Sequence, residues 1–232
     1  MKIPLIIFLM IAGYLLGSIP AAYVVGRIVK KIDLRQYGSG TVSSSMVWEH
    51  VGHWAVIPVA LFDVFKASVP VWLTIHFNLG EIVALMIGIC VVAGHNWPIF
   101  LKFQGGRGLS PMIGILLVLF PPGVVWLLCF LLLGRLYEPP IMALLGIITL
   151  PISVILMKGS KVIYFAAGLF LLITIMKRLE ANQRALPSTI KQKWSVLLLR
   201  LLYDRDIKDH QAWIHRKPEN KTNSASSNPG DS

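Results

Sequence analysis

The clearest candidate for chemistry is a glycine-rich stretch at positions 105–108, Gly-Gly-Arg-Gly, which directly precedes an apolar run. Glycines let successive backbone N–H groups turn toward one point and form an anion-binding nest. The N-terminus of a helix that follows would add a partial positive charge. Arg107 can then hold a phosphate through two parallel hydrogen bonds. The pattern indicates a phosphate site, although the same glycines can also serve only as tight turns at a membrane surface.

Other polar residues lie in or beside apolar runs, where they are costly and therefore candidates for function. Gly-Ser-Gly at 38–40 repeats the nest pattern on a smaller scale, and three serines follow at 43–45. Asp63 and Lys66 are three residues apart, so they share a helix face and can form either an internal ion pair or a ligand site. His95 can be a base, a phosphate donor or a helix-capping residue.

The composition identifies the elements that must position these residues. The chain has 232 residues, of which 55% are hydrophobic and only 14% are charged. A soluble domain is about half apolar and about one quarter charged, so we expect a membrane protein. The net charge of +11 is carried by loops and by the tail, where it sets membrane orientation and meets lipid headgroups. We therefore expect no nucleic-acid partner, and the few histidines and cysteines predict no metal site.

The apolar runs predict an all-α polytopic membrane protein. One run is interrupted by Pro-Pro-Gly at 121–123, a strong break, and counting it as two segments gives about seven transmembrane helices. The basic loops are best placed inside with an odd number of spans, which predicts an external N-terminus and a cytoplasmic C-terminus. The runs cover 3–26, 51–75, 81–100, 109–133, 141–157 and 162–176.

The chain divides into three parts. Residues 1–185 form the predicted transmembrane domain. Residues 186–216 interleave basic and apolar side chains, which predicts an amphipathic helix on the cytoplasmic membrane surface. Residues 217–232 are polar and rich in Ser, Asn and Pro, so we expect a disordered tail.

Three groups of motifs resemble those of the bacterial acyl-phosphate:glycerol-3-phosphate acyltransferases, a family of integral membrane enzymes. The similarity covers roughly residues 3–185, with the motifs in the order and spacing of the family. The matching segments are Leu-Gly-Ser-Ile-Pro-Ala-Ala-Tyr at 16–23, Asp-Leu-Arg at 33–35, Gly-Ser-Gly at 38–40, the pair Asp63 and Lys66, and the continuous stretch 94–108.

The resemblance implies a seven-helix enzyme of the bacterial inner membrane with its site on the cytoplasmic side. Such an enzyme transfers a fatty acyl group from acyl phosphate to the 1-hydroxyl of glycerol 3-phosphate, without a cofactor, and gives lysophosphatidic acid for phospholipid synthesis. The catalytic residues expected on this basis are Ser39, His95 and Arg107. The residues expected to bind substrate phosphate are Gly38, Gly40, Lys66, Lys102, Gly105, Gly106, Gly108 and Asn182.

The chain departs from the family pattern at several motif positions. Thr41 follows the first glycine pair where the family has Asn, and Glu49 stands where the family has a basic Arg. Arg107 replaces a Lys, which keeps the charge but changes the geometry, and Leu179 takes the place of a His. Three functions are therefore compatible with the sequence: an active acyltransferase, a weakly active or inactive paralogue that binds phospholipid or acyl phosphate, and a small-anion transporter. The absence of an internal repeat argues against the transporter.

Overall fold

The computed structural model describes residues 2–38, 40–183, 185–207, 209, 212 and 213, and within these residues the protein is helical and has no strand. This confirms the predicted all-α fold. Short 3-10 helices cover Leu34–Gln36, Ile99–Leu101 and Ala181–Gln183. The α-helices are α1 (Lys2–Gly17), α2 (Ala21–Val29), α3 (Ser44–His50), α4 (His53–His76), α5 (Glu81–Asn96), α6 (Leu109–Leu119), α7 (Pro121–Leu133), α8 (Pro139–Leu156), α9 (Lys161–Glu180) and α10 (Ile190–Tyr203).

Five segments of the described chain are long and apolar enough to cross a membrane. The predicted break at 121–123 is confirmed, because α6 ends at Leu119 and α7 begins at Pro121. These two helices have only 11 and 13 residues, so the count of seven spans and the membrane orientation stay predictions. The five segments are Ile3–Val29, His53–His76, Glu81–Leu101, Pro139–Leu156 and Lys161–Glu180.

The apolar run predicted at 3–26 is divided between two helices, α1 and α2, although Ile3–Val29 as a whole is one candidate membrane span. The chain leaves the helical path at Ser18, and α2 begins after Pro20. Proline has no backbone N–H to continue the ladder. The Ser18 hydroxyl donates to the carbonyl oxygen of Tyr14 at 2.9 Å. The break places polar backbone at one end of α1, beside the candidate site.

Large apolar side chains cover the outside of the helical bundle. Ile3, Phe8, Trp54 and Phe165 are each 65–72% exposed. A continuous apolar surface of this kind is unfavourable in water and is the expected surface for contact with lipid. The outward-facing side chains therefore agree with the membrane-embedded fold predicted from composition.

Helices α1 and α5 run parallel and approach each other through glycines. A Cβ atom at Gly17 would lie 2.1 Å from the carbonyl oxygen of Val91, and one at Gly94 would lie 2.1 Å from the carbonyl oxygen of Tyr14. Backbone atoms at such distances cannot yield to a side chain. Gly13 and Gly17 have the Gly-xxx-Gly spacing that lets helices pack closely, and they bring the end of α1 against the end of α5, where His95 lies.

Helix α10 lies within the predicted surface segment 186–216. Its exposed apolar side chains, Ile190, Trp194 and Leu198, are spaced by four residues and share one face. This face suits a lipid surface, but its location at the membrane stays a prediction. The predicted disordered tail, 217–232, lies outside the described residues.

Arginine side chains attach α10 to the bundle. The Arg178 guanidinium on α9 donates to the carbonyl oxygens of Leu201 at 2.7 Å and Pro140 at 2.6 Å. Arg200 on α10 donates to the carbonyl oxygen of Leu179 at 3.2 Å. The last carbonyls of α10 are thus satisfied by a cation, as helix C-termini require.

The glycine contact between α1 and α5 can be tested by alanine substitution. We expect Gly94→Ala to lower the unfolding temperature in detergent, because overpacking of a core costs about 1–3 kcal/mol, which exceeds the gain of about 1 kcal/mol from replacing a helical glycine. Gly168→Ala on α9 is the matched control, because nothing lies within 4 Å of its Cβ position. We expect this control to be neutral or stabilising. Equal unfolding temperatures for both variants would contradict the close approach.

Candidate active site

Asp63, Lys66 and His95 form a buried polar cluster between α4 and α5. The Lys66 Nζ atom lies 2.7 Å from Asp63 Oδ1, 3.0 Å from His95 Nδ1 and 3.3 Å from the carbonyl oxygen of Ile19. The Lys66 and Asp63 side chains are only 1% and 3% exposed. The internal ion pair, one of the two alternatives for these residues, is therefore formed.

The second glycine loop packs directly on His95. The Gly106 N–H donates to the carbonyl oxygen of His95 at 3.0 Å. A Cβ atom at Gly106 would lie 2.1 Å from His95 Nε2, and one at Gly105 would lie 2.2 Å from the carbonyl oxygen of His95. Only glycine fits at these two positions. The two glycines of the predicted loop are therefore needed so that the loop backbone can approach the imidazole this closely.

Asn182 joins the two glycine-rich loops. Its Nδ2 atom donates to the carbonyl oxygens of Gly40 at 2.7 Å and Gly105 at 3.2 Å. The Val42 N–H also donates to the oxygen of Gly105, at 3.2 Å. Asn182 adopts a left-handed conformation with φ of 51°, which Asn tolerates better than most residues. Gly40, Gly105 and Asn182, which come from three separate parts of the predicted site, are therefore neighbours.

A cavity of about 10 Å³ lies at this junction, which is room for about one water molecule. Its walls include the α1–α2 junction at 17–22, Asp63, His95 and the glycines Gly105 and Gly106. The cavity therefore lies beside Asp63 and His95, next to the second glycine loop and to Val42, which follows the first loop. Polar backbone and charged side chains thus face one small volume at one end of an otherwise apolar bundle.

Arg107 points toward the C-terminal part of the chain. Its Nε atom donates to Asp204 Oδ2 at 2.9 Å, its Nη2 atom lies 2.7 Å from Asp204 Oδ1 in the same ion pair, and Nη1 donates to the carbonyl oxygen of Lys177 at 2.7 Å. The Nε and Nη2 edge of a guanidinium that faces this carboxylate is also the edge that can hold a phosphate. Sequence reasoning missed Asp204, which lies 97 residues after Arg107, and no local pattern could have found it.

The remaining predicted residues of the second loop differ in their exposure. Lys102 is exposed and left-handed, with φ of 54°. Gly108 precedes α6 with φ of 80°, and its Cβ position lies 2.8 Å from Asn96 Oδ1. Asn96 is fully buried, and its amide has no hydrogen-bond partner within the described chain. Sequence reasoning gave this Asn no role although it lies inside the 94–108 motif. A buried unpaired amide is costly, so Asn96 is a further candidate contact.

The first glycine loop is held by a charged turn. Ser39 lies outside the described residues, and its neighbours Gly38 and Gly40 have φ of 48° and 68°. Asp33 accepts hydrogen bonds from the backbone N–H of Arg35 at 3.0 Å and from its guanidinium at 2.7 Å. Burial raises the pKa of Asp33, but these bonds and the nearby positive charge outweigh burial and hold the pKa below its usual range.

Three departures from the family motif fall on residues for which the described structure gives no hydrogen bond or ion pair with the buried cluster. Glu49 is exposed on α3. Leu179 is half-buried near the end of α9, and its carbonyl oxygen accepts from Arg200. Thr41 is buried, and its hydroxyl lies 3.4 Å from that of Ser43. The charge reversal at Glu49 therefore leaves the Lys66 and His95 geometry intact.

Comparison with known proteins decides the family. A family model described as glycerol-3-phosphate acyltransferase matches residues 7–187. The chain belongs to this family. The resemblance seen in the motifs is therefore confirmed, and with it the enzyme class, acyl transfer to glycerol 3-phosphate in phospholipid synthesis. Helix α10 and Asp204 lie beyond the residues that the family model matches.

Individual acyltransferases of the family are similar over most of the chain. Glycerol-3-phosphate acyltransferase 4 of Dehalococcoides mccartyi (strain CBDB1) is 35% identical over 221 residues, which cover 92% of this chain and 94% of that protein. Glycerol-3-phosphate acyltransferase of Gloeobacter violaceus is 37% identical over 139 residues, 56% of this chain and 68% of that protein. A crystal structure of PlsY (YgiH), an integral membrane glycerol 3-phosphate acyltransferase, in its glycerol 3-phosphate form, superimposes with a TM-score of 0.69 at 25% identity, covering 77% of this chain and 90% of that one.

The turn at Asp33 predicts how this acyltransferase responds to acid. A carboxylate whose pKa is lowered by folding contributes stability above its unfolded pKa of about 3.9, and that contribution is lost as the pH falls through the folded value. We expect Asp33→Asn to lower the unfolding temperature at pH 7 and to show a smaller further loss between pH 5 and 3 than the wild type. Glu49→Gln, at an exposed carboxylate, is the control. An unchanged acid profile for Asp33→Asn would contradict the assignment.

Proposed function

We propose that this acyltransferase uses acyl phosphate as its donor and transfers the acyl group to the 1-hydroxyl of glycerol 3-phosphate, giving lysophosphatidic acid. The observation that carries this proposal is the junction of two glycine loops at Asn182, beside the buried Lys66 and His95. Both substrates carry a phosphate, and glycine-rich loops can turn backbone N–H groups toward an anion. In this structure the N–H groups of Gly40 and Gly106 donate to the carbonyl oxygens of Tyr37 and His95, so they reach a phosphate only when the loops rearrange. Two adjacent nests suit two phosphorylated molecules.

The reaction needs positioning more than it needs a covalent intermediate. Acyl phosphate is a mixed anhydride and arrives activated. The hydroxyl oxygen of glycerol 3-phosphate forms a bond to the acyl carbonyl carbon, and the bond between that carbon and the phosphate oxygen breaks. The electron pair leaves with phosphate, which can also take the hydroxyl proton. Alignment of two bound reactants can lower the barrier by about 7–11 kcal/mol.

Each predicted site residue has a proposed part in this alignment. The glycines Gly38, Gly40, Gly105, Gly106 and Gly108 shape the two nests, Asn182 keeps them together, and Lys102 and Lys66 add positive charge. Ser39 and His95 donate to substrate oxygens. Because the cavity between the loops is about 10 Å³, far below the roughly 300 Å³ of typical ligand pockets, the loops move apart when substrates enter.

Arg107 is the residue proposed to bind a substrate phosphate, and in this structure Asp204 occupies the position that the phosphate would take. The carboxylate of Asp204 already uses the bidentate face of the guanidinium. A dianionic phosphate is a stronger acceptor for the same donors. Phosphate therefore replaces Asp204 on binding, while the bond from Arg107 to the oxygen of Lys177 keeps the guanidinium in place.

The location follows from charge and topology. The glycine loops, the end of α5 and the end of α9 share one end of the bundle with most of the basic loops. By the positive-inside rule this end faces the cytoplasm of a bacterial plasma membrane. Both substrates would then reach the site from the side where they are made, and α10 would lie on the same membrane surface.

The donor can be tested with purified protein in lipid nanodiscs. We expect turnover of glycerol 3-phosphate with palmitoyl phosphate and none with palmitoyl-CoA, because a phosphate next to the carbonyl is needed for the second nest. Product is measured as radiolabelled lysophosphatidic acid. Turnover with palmitoyl-CoA alone would overturn the proposed donor, and no turnover with either would favour the binding paralogue.

A pair of variants distinguishes a role of Arg107 in binding phosphate from a purely structural role. We expect Arg107→Ala to lower kcat/KM at least about 100-fold, as the loss of one charged donor in an active site commonly does, with an unfolding temperature close to that of Asp204→Ala. Asp204→Ala removes the same internal ion pair but leaves the guanidinium, so it should retain turnover. Equal losses of turnover in the two variants would contradict the phosphate role, because the ion pair would then serve only to attach the C-terminal part of the chain to the bundle.

A further inference from the structure

The contacts of Lys66 indicate which nitrogen of the His95 imidazole carries the hydrogen. An ammonium has three N–H donors and no acceptor. Lys66 Nζ is within hydrogen-bond distance of His95 Nδ1 at 3.0 Å and of the oxygen of Ile19 at 3.3 Å, and it lies 2.7 Å from Asp63 Oδ1 as an ion pair. An opposite charge this close favours the ammonium form of Lys66. If His95 Nδ1 carried a hydrogen, its N–H would face an N–H of Lys66, and neither group could accept the other's hydrogen bond.

We infer that Asp63 and Lys66 hold His95 as the neutral imidazole with its proton on Nε2, so that His95 donates a hydrogen bond at the glycine loop and is not a general base. This inference rests on the proposed function for the identity of the acceptor, which is a substrate oxygen. Lys66 thus acts through His95 as a positioning residue, and its contact with the substrates is indirect.

The opposite edge of the ring faces the loop that the substrates are proposed to use. His95 Nε2 is the atom that a Cβ at Gly106 would strike at 2.1 Å. The carbonyl oxygen of His95 accepts from the N–H of Gly106 at 3.0 Å, which fixes the loop relative to the imidazole. An Nε2–H group at this edge can stabilise negative charge that develops on a carbonyl or phosphate oxygen.

A base at His95 would need a lone pair on the substrate side of the ring. With the Nδ1 lone pair engaged by Lys66, Nε2 carries the proton and has none to offer. The alternative, an Nδ1–H donated to Asp63, has a longer distance of 3.5 Å and leaves Lys66 opposite a second donor.

The tautomer can be observed directly, without any substrate. Long-range proton–nitrogen correlation spectra of the full chain with ¹⁵N-labelled histidine, in detergent, separate Nε2–H from Nδ1–H imidazoles and from imidazolium. His95 is identified among the six histidines by the signal that is lost in His95→Gln. We expect the Nε2–H form from pH 6 to 8. In Asp63→Asn/Lys66→Met, which keeps the interior uncharged, we expect a mixture of tautomers, whereas Lys191→Met, at an exposed lysine of α10, leaves the spectrum unchanged.

An Nδ1–H or imidazolium signal in the wild type would overturn the inference, whatever the outcome of the donor assay. The kinetic test compares two isosteres. The amide of His95→Gln places its N–H near the position of Nε2, and that of His95→Asn places it near Nδ1. We expect His95→Gln to retain at least tenfold more kcat than His95→Asn, with no new acid limb in the pH profile. Equal losses in both variants would overturn the donor role.

Discussion

The constraint on which this molecule depends is that a polar group inside an apolar helical bundle must find a partner within the protein. Lys66 meets this constraint with an ion pair to Asp63 and with two hydrogen-bond partners, His95 and the carbonyl oxygen of Ile19. The carbonyl of Ile19 is free to accept because Ser18–Pro20 interrupts the helical path of the first span. The helix break therefore supplies a hydrogen-bond acceptor for the buried Lys66, and Lys66 in turn satisfies the carbonyl oxygen that the break exposes.

The same constraint brings the two glycine loops together. The amide of Asn182 has to bond within the protein, and it does so with the carbonyl oxygens of Gly40 and Gly105. Gly105 and Gly106 then lie against His95, where a Cβ atom would come within 2.1–2.2 Å of its atoms. The geometry of the proposed site is thus a consequence of satisfying polar atoms that the surrounding helices cannot satisfy.

Short-range features were predictable from the sequence, and long-range contacts were not. The helix break at 121–123 follows from two prolines and a glycine, and the pair of Asp63 and Lys66 follows from their spacing on one helix face. The contact of Arg107 with Asp204 joins residues 97 apart, and that of Asn182 with Gly40 joins residues 142 apart. These contacts depend on how the helices pack against one another, and that packing cannot be read from residue types and local spacing. The break before Pro20 was missed because the apolar run continues through it.

The central claim is that two phosphorylated molecules occupy neighbouring loops at the same time. Equilibrium binding of labelled glycerol 3-phosphate to the protein in nanodiscs, with and without a saturating acyl phosphonate that cannot transfer its acyl group, tests it most directly. The account predicts that glycerol 3-phosphate still binds at one molecule per protein when the phosphonate is bound. Strict competition between the two ligands would contradict it, because one shared phosphate site would then serve both.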